Sequence, residues 1–192
     1  FGVKQRQALE SKGKSPHVLI MTATPIPRTM ALSVYGDLDV SFIKGMPPGR
    51  HPVKTYVVGS HMLQRIFRFM KKEMESGHQA YVVCPLVEQS EKQDLAAAVS
   101  VYENLRDHVF PQFGVGLVHG RMKNAEKEQV MEDFRKGKFK LLVATSVIEV
   151  GVNVPDATVM FVYGADRFGL SQLHQLRGRV GRGKEQAYCV LY

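Results

Sequence analysis

The sequence predicts an α/β fold in which helices cover both faces of a parallel β-sheet. Its 192 residues are 44% hydrophobic and 23% charged, which is ordinary for a protein that buries a core. After Pro52, short apolar runs alternate with helical patterns, as in strands joined by crossover helices. The predicted strands are Val53–Val58, Ala80–Pro85, Val115–His119, Leu141–Thr145, Val159–Tyr163 and Ala187–Tyr192.

Three stretches between these runs have the spacing of amphipathic helices. The first, Ser60–Ser76, begins with a serine suited to an N-cap and ends before Gly77. The third, Asn124–Lys136, is expected to be capped by Asn124 and closed by Gly137. The second helix places an apolar residue every three or four positions, at Leu95, Val99, Tyr102, Leu105 and Val109.

A break rich in proline and glycine divides the chain. We place a linker at about Gly45–Pro52, because this change of composition is typical of a domain boundary. Residues 1–48 are then expected to be the end of one domain, and residues 49–192 a second domain. The sequence begins with Phe1 and stops directly after a predicted strand, so we expect it to be part of a longer chain.

The charge and the cysteines limit the partners and the compartment. A formal net charge of +8 favours a polyanionic partner, which could be a nucleic acid, a nucleotide or an acidic surface. Cys84 and Cys189 lack C-x-x-C spacing and are expected to be buried thiols of a reducing compartment. Because no signal peptide opens the chain and no apolar run approaches the ~18 residues of a membrane span, we expect a cytoplasmic protein that has no membrane partner.

The most informative stretch is Gln175–Arg182, which reads Gln-Leu-Arg-Gly-Arg-Val-Gly-Arg. Arginine matches the geometry of phosphate, and glycine lets the backbone approach a ligand closely. The two glycines weaken a helix by roughly 1 kcal/mol each, so we expect the helix to end near Arg177 and to leave Arg179 and Arg182 on a turn. The alternative is a solvated basic helix end that complements the helix dipole. That alternative does not explain the Gly-Arg-x-Gly-Arg spacing.

Three further stretches place polar groups beside predicted strands. Val118–Lys123 lies before a helix N-terminus, where amides and cations gather anions, although a plain strand-to-helix turn explains its spacing equally well. The strand Leu141–Thr145 delivers hydroxyl groups to the carboxyl edge of the sheet, where they can hold a phosphate. The run His17–Met21 is expected to be a buried strand, and the proline-rich turn Thr22–Thr29 follows it.

Together these stretches resemble the motifs of superfamily 2 helicases, in order and at natural spacing along the whole chain. Arg167–Gly183 is similar, almost letter for letter, to the bacterial branch-migration helicases of that superfamily. The resemblance implies that residues 49–192 are the second RecA-like motor domain of an ATP-dependent DNA helicase, and that residues 1–48 are a remnant of the first. The matching stretches are Thr22–Thr29 for motif III, Cys84–Glu88 for IV, Val118–Lys123 for IVa, Val143–Pro155 for V and Gln175–Arg182 for VI.

The resemblance also implies a role for each matched position. Arg179 and Arg182, with Gln175, would act on the γ-phosphoryl group of ATP as arginine fingers. Gly151 and Asn153 would lie at the nucleotide, with Asn153 at a position where many family members carry an Asp that meets the ribose. Thr22, Thr24 and Arg28 would couple the nucleotide site to the DNA. The residues implied to contact the DNA backbone are His119, Gly120, Arg121, Lys123, Thr145 and Ser146.

The implied cofactor is ATP with Mg²⁺, whose ligands would lie in the first motor domain. The implied partners are branched DNA, such as stalled forks and four-way junctions, and the first motor domain and the wedge domain of the same full-length chain. Because this sequence contains neither a Walker A motif nor the acidic box, the isolated chain is expected to be inactive. Two alternatives stay open, the motor domain of a transcription-repair coupling translocase and a non-catalytic nucleic-acid-binding module.

Overall fold

The structure is a computed structural model that describes residues 49–85, 91–145 and 154–192 and the isolated positions 19, 21, 41, 43 and 45. The chain divides into two compact units, Phe1–Ser41 and Phe42–Tyr192. All helices and strands given below belong to the second unit. The assignment of residues 1–48 and 49–192 to two motor domains stays a prediction.

Six parallel strands form the sheet, and all six were expected from the sequence. They are β1 (Lys54–Val57), β2 (Gln79–Cys84), β3 (Val115–Val118), β4 (Leu141–Thr145), β5 (Ala157–Val162) and β6 (Tyr188–Leu191). Their order across the sheet is β1-β6-β5-β2-β4-β3. Every residue of β2, β4 and β5 is buried, as expected for central strands covered on both faces. The predicted α/β fold is therefore confirmed.

Four helices are described in the second unit. They are α1 (Leu63–Glu75), α2 (Glu91–Asn104), α3 (Asn124–Arg135) and α4 (Leu170–Arg177). Short turns of 3₁₀-helix precede α1 and α4, and α2 continues into a π-helix at Leu105–Val109. The π-helix ends with a hydrogen bond of 2.7 Å from the Phe110 amide to the Leu105 carbonyl oxygen. Positive φ angles of 97° at Gly77 and 77° at Gly137 confirm the predicted ends of the first and third helices.

Both predicted N-caps are wrong. Ser60 lies inside a 3₁₀ turn, Ser60–Met62. The first hydrogen bond of this turn runs from the Met62 amide to the Gly59 carbonyl oxygen, at 3.0 Å. Asn124 is the first residue of α3, and Lys123 occupies the cap position. The Lys123 amide donates to the carboxylate of Glu126 at 3.0 Å, which is one of the two hydrogen bonds of a capping box. The helix therefore begins with this bond and not with an asparagine cap.

The two faces of the sheet carry separate cores. On one face, α1 and α2 pack through Ile66, Met70, Met74 and Ala98 against the alternate residues of the central strands. On the other face, Phe134 of α3 meets Tyr81 of β2 with ring centroids 5.0 Å apart. The methionines of α1 that are buried, Met70 and Met74, belong to this packing.

Both cysteines are free and buried, as predicted. Burial raises the pKa of the Cys84 thiol to about 12 and that of Cys189 to about 11. At neutral pH both are protonated thiols, which are poor nucleophiles.

Two described residues contradict the strand that the sequence predicts at His17–Met21. Leu19 and Met21 are 81% and 82% exposed and belong to no strand. The prediction of burial is wrong at these positions, because an apolar run becomes a buried strand only where neighbouring strands accept it. Among the helices of the described ranges, none has the length and apolar character needed to cross a membrane.

Candidate functional site

The arginine-rich stretch leaves its helix at the position that the sequence predicts. Helix α4 ends at Arg177, and the Gly178 amide donates to the His174 carbonyl oxygen at 3.1 Å. The turn that follows carries Arg179 and Arg182 and leads into β6.

Glycines hold this turn close to the protein's own backbone. Gly181 has a φ of 72°, and a Cβ atom there would lie 3.2 Å from side-chain atoms of Ala187 and Val53. A Cβ atom at Gly183 would lie only 2.6 Å from the Pro155 carbonyl oxygen. The sequence attributes the glycines of Gln175–Arg182 to close contact with a ligand, but at Gly181 the close contact is within the fold.

Arg179 and Arg182 lie together, partly buried, on the α3–α4 side of the sheet. Burial lowers the pKa of Arg179, and the neighbouring charge of Arg182 lowers it further. Burial raises the pKa of Tyr81 to about 12, and the charges of Arg182 and Arg179 oppose this increase. Arg182 donates a long hydrogen bond of 3.4 Å from Nε to the Gly178 carbonyl oxygen. The structure therefore brings two like charges into one partly desolvated place.

No ion pair neutralises these two charges within the part of the chain that the structure describes. Two adjacent cations that have lost part of their hydration are unfavourable unless an anion meets them. The arrangement is therefore suited to binding a phosphate or another compact anion.

Gln175 lies on the exposed side of α4, about one turn before Arg179. Its neighbour His174 accepts a hydrogen bond of 3.0 Å at Nδ1 from the Arg177 guanidinium. Gln175 is thus on the same segment as the arginine pair, although its own catalytic role stays a prediction.

A second group of polar residues lies at the carboxyl edge of β3 and β4. These strands are neighbours, with Val118 opposite Ala144, so His119 and Thr145 follow side by side. By strand alternation the Thr145 side chain points to the α1–α2 face, whereas His119 follows the end of β3 and its imidazole lies close enough to Lys127 and Glu126 of α3 for their charges to act on it. Thr145 is 1% exposed, and its hydroxyl has no hydrogen-bond partner among the described residues. The same holds for the buried Nδ1 atom of His119.

Basic residues lie close to the imidazole of His119. Burial is the largest cause that lowers the pKa of His119, and the charges of Lys127 and Arg121 lower it further against the opposing effect of Glu126. His119 is therefore a neutral imidazole at neutral pH in a basic environment. Arg121 and Lys123 are exposed on the turn into α3, and the Cα of Gly120 faces open space. Buried polar atoms without partners beside exposed cations suit a sugar-phosphate backbone or the water that accompanies it.

Several residues that the sequence nominates lie outside the described ranges, so their predicted roles stay predictions. They are Thr22, Thr24, Arg28, Ser146, Gly151 and Asn153. In motif IV, Cys84 and Pro85 are described, whereas residues 86–88 are not.

Sequence reasoning missed two residues beside these groups. Tyr81 sits in the middle of an apolar strand, and nothing in its sequence context connects it to an arginine turn about 100 residues later. Lys127 lies one turn into α3, on the helix that follows the turn at His119, so helical spacing could have found it.

Comparison with known proteins agrees with the fold and with the order of the motifs. The helicase conserved C-terminal domain family matches residues 60–184. The protein named ATP-dependent DNA helicase RecG from Bacillus subtilis is 55% identical over the whole chain, and its namesake from Thermotoga maritima is 53% identical. The chain spans 28% and 24% of the lengths of these two relatives.

Solved structures give the same result. A structure of RecG bound to a three-way DNA junction matches 94% of this chain and 23% of that protein, with a TM-score of 0.77 and 49% identity. Domain 2 of the DEAD-box helicase Mss116p, bound to an RNA duplex, matches 72% of this chain and 53% of that one. Its TM-score of 0.55 at 18% identity shows a shared fold.

Proposed function

The chain belongs to the family of helicase conserved C-terminal domains, and we propose that it forms the second motor domain of an ATP-dependent DNA helicase of the RecG type. The substrate would be branched DNA, such as a stalled fork or a four-way junction. Support comes from similarity to RecG along the whole chain and to a structure of RecG on a three-way junction. In the whole protein, the first motor domain and a wedge domain would be its partners, in the cytoplasm.

The arginine pair is the observation that carries this proposal. Arg179 and Arg182 form a partly desolvated cationic site that no carboxylate occupies in the described part of the chain. ATP, which fits this site by its charge, would supply the phosphoryl group that is transferred to water. The two guanidinium groups would stabilise the negative charge that develops on that group, and such a contribution is typically about 10³–10⁵ in rate. Gln175 would orient the reacting groups from α4.

The remainder of the nucleotide site would come from outside the described residues. Gly151 and Asn153 would face the nucleotide, and Thr22, Thr24 and Arg28 would couple it to the DNA. Mg²⁺ bound with ATP would be held mainly by phosphate oxygens, water and one or two carboxylates, and these carboxylates would belong to the first motor domain.

His119, Gly120, Arg121, Lys123, Thr145 and Ser146 would hold the DNA backbone at the carboxyl edge of the sheet. Two observations support this. His119 Nδ1 and Thr145 Oγ1 are buried and have no hydrogen-bond partner among the described residues, and positively charged side chains lie near His119. Closing and opening of the two motor domains on ATP would then shift these contacts along the DNA, because α4 and this edge belong to one domain.

The test is Arg182→Ala in the full-length helicase that contains this chain. We expect ATP turnover to fall by about 10³ while the affinity for a three-way DNA junction changes less than about threefold. Arg135→Ala is a matched control, because Arg135 is exposed and paired with Glu132 at 2.8 Å. If Arg182→Ala weakened junction binding and left turnover intact, the chain would be a nucleic-acid-binding module without a catalytic role.

A further inference from the structure

The edge strand β1 is the first strand in the order of the sheet, and β6 is its only neighbour among the described strands. Val53, directly before β1, lies close to Gly181 of the arginine turn, but β1 itself contributes no residue to either site described above. The amides of Lys54 and Val58 donate to β6, to Ala187 and Leu191, at 3.0 and 2.9 Å. In a parallel ladder the intervening residues, Thr55 and Val57, turn their amide and carbonyl groups outwards. These groups are available to a further strand.

Two of the four residues of this edge strand are large hydrophobic residues that are exposed. Tyr56 is 50% exposed and Val57 is 84% exposed. Exposed edge strands without protection are sites where another chain can pair. In this strand only Lys54 carries a charge.

A groove runs beneath this edge on the α1 side of the sheet. Helix α1 packs against β2 and β5, and a cavity of about 610 Å³ remains between α1 and the outer strands β1 and β6. Phe69 and Tyr188 form one wall, with ring centroids 4.9 Å apart. The groove is therefore large enough for one or two apolar side chains, and its principal apolar lining residues are Tyr56, Met62, Ile66, Phe69, Tyr188 and Val190.

The charge at the groove is positive. Arg65 lines it, and none of the described residues that line it is acidic. Lys54 stands opposite Tyr188 and therefore points to the same face of the sheet. An occupant that fits this groove has an apolar side chain for the cavity and a negative charge for Arg65.

We propose that β1 and this groove bind an extended segment of a partner polypeptide, which pairs with β1 as an added strand. Alternate residues of such a segment face the same side, so an apolar residue in the cavity places a carboxylate two positions away near Arg65. The outward amide and carbonyl groups of β1 complement a peptide backbone, whereas a nucleic acid would leave them unpaired. None of these residues belongs to the proposed nucleotide or DNA sites, so this interaction is separate from the proposed function.

The experiment selects a displayed library of random eight-residue peptides on the purified full-length protein that contains this chain. We expect the selected peptides to share an apolar residue with Asp or Glu two positions away. A synthetic peptide of the selected sequence should bind the protein and lose at least about tenfold in affinity with Arg65→Glu and with Val57→Pro. Arg68→Glu is the matched control on the same helix, because Arg68 is exposed and does not line the groove.

Methylation of alternate backbone amides of that peptide should abolish binding, since it removes the strand pairing. Arg65→Glu leaves β1 intact, so it decides the result even if Val57→Pro does not fold. Selection of peptides without the acidic position, or binding that is unchanged in Arg65→Glu, would overturn the proposal. So would competition by a single-stranded oligonucleotide that displaces the peptide, or self-association of the protein that Val57→Pro abolishes, because each identifies a different occupant.

Discussion

Two helices of this domain end in clusters of basic residues, and the structure treats the two clusters differently. At the end of α3, Arg135 and Lys136 share Glu132 at 2.8 and 3.3 Å, and Lys138 meets Asp133 at 2.7 Å. These partners lower the pKa of Glu132 to about 2. At the end of α4, Arg179 and Arg182 have each other as neighbours and no carboxylate among the described residues. The first cluster is paired with carboxylates of its own helix, whereas the second is the one for which we propose an external anion.

This difference distinguishes a basic cluster whose cations are paired with carboxylates from one whose cations have no such partner among the described residues. Both clusters complement the dipole of the helix that precedes them, so the dipole cannot distinguish them. The carboxylates distinguish the two clusters, because Glu132 and Asp133 pair with the α3 cations in the absence of any ligand. The predictions below test this distinction, beginning with the largest effect.

The geometry of the α4 turn should depend on Gly181. We expect Gly181→Ala to lower the free energy of unfolding by about 1–3 kcal/mol, because the residue has a positive φ and its Cβ would press on Ala187 and Val53. Gly178→Ala is the matched control, since Gly178 has a φ of −70° and should change the free energy by less than about 0.5 kcal/mol. Urea denaturation of the two variants measures both. If both variants lost the same free energy of unfolding, the positive φ and the close contacts of Gly181 would not determine the geometry of the turn.

The two arginine clusters should respond oppositely when one cation is removed. Arg182→Met keeps the apolar part of the side chain and relieves the repulsion with Arg179, so we expect stability to stay equal or to rise by up to about 1 kcal/mol. Arg135→Met removes a paired cation, and stability should stay equal or fall. Thermal unfolding at low salt compares them. A larger loss for Arg182→Met than for Arg135→Met would contradict the distinction between the clusters.

The smallest effect concerns His119 at the carboxyl edge of β3. Burial lowers its pKa in the folded state, so protons bind the unfolded chain more readily. Above the pKa of the unfolded state, about 6.5, His119 is neutral in both states and does not lower the free energy of unfolding. As the pH falls from about 6.5 towards the lower pKa of the folded state, the unfolded chain binds protons first and the free energy of unfolding decreases. We therefore expect His119→Gln to flatten the decline of stability between about pH 7 and 5, measured by urea denaturation at a series of pH values. Identical pH profiles for the natural sequence and the variant would contradict the effect of burial on the pKa of His119.

The sequence was sufficient for the sheet because parallel strands are buried on both faces and appear as continuous apolar runs. It failed at the helix caps, since the amide of Lys123 is satisfied by Glu126, and the backbone of Gly59 starts the turn before α1. These outcomes depend on side-chain rotamers and local turns that residue preferences do not determine.

For the candidate site, spacing located the arginines but did not establish what surrounds them. Part of the contrast between the clusters could have been read in advance. Arg135 has Glu132 three positions earlier, whereas Arg179 has Leu176 and Gln175 at the corresponding positions. What could not be predicted is the approach of Tyr81 and the mutual proximity of Arg179 and Arg182, because both depend on the path of the turn between α4 and β6.

The central claim is that no carboxylate of the described residues pairs with the α4 cluster because this cluster must meet a phosphate. Arg179→Glu gives Arg182 such a carboxylate, and ATP turnover by the full-length protein is the measurement. The account predicts that turnover falls by about 10³ or more, although the variant folds at least as stably as the natural sequence. Turnover within about threefold of the natural enzyme in a folded Arg179→Glu variant would contradict it.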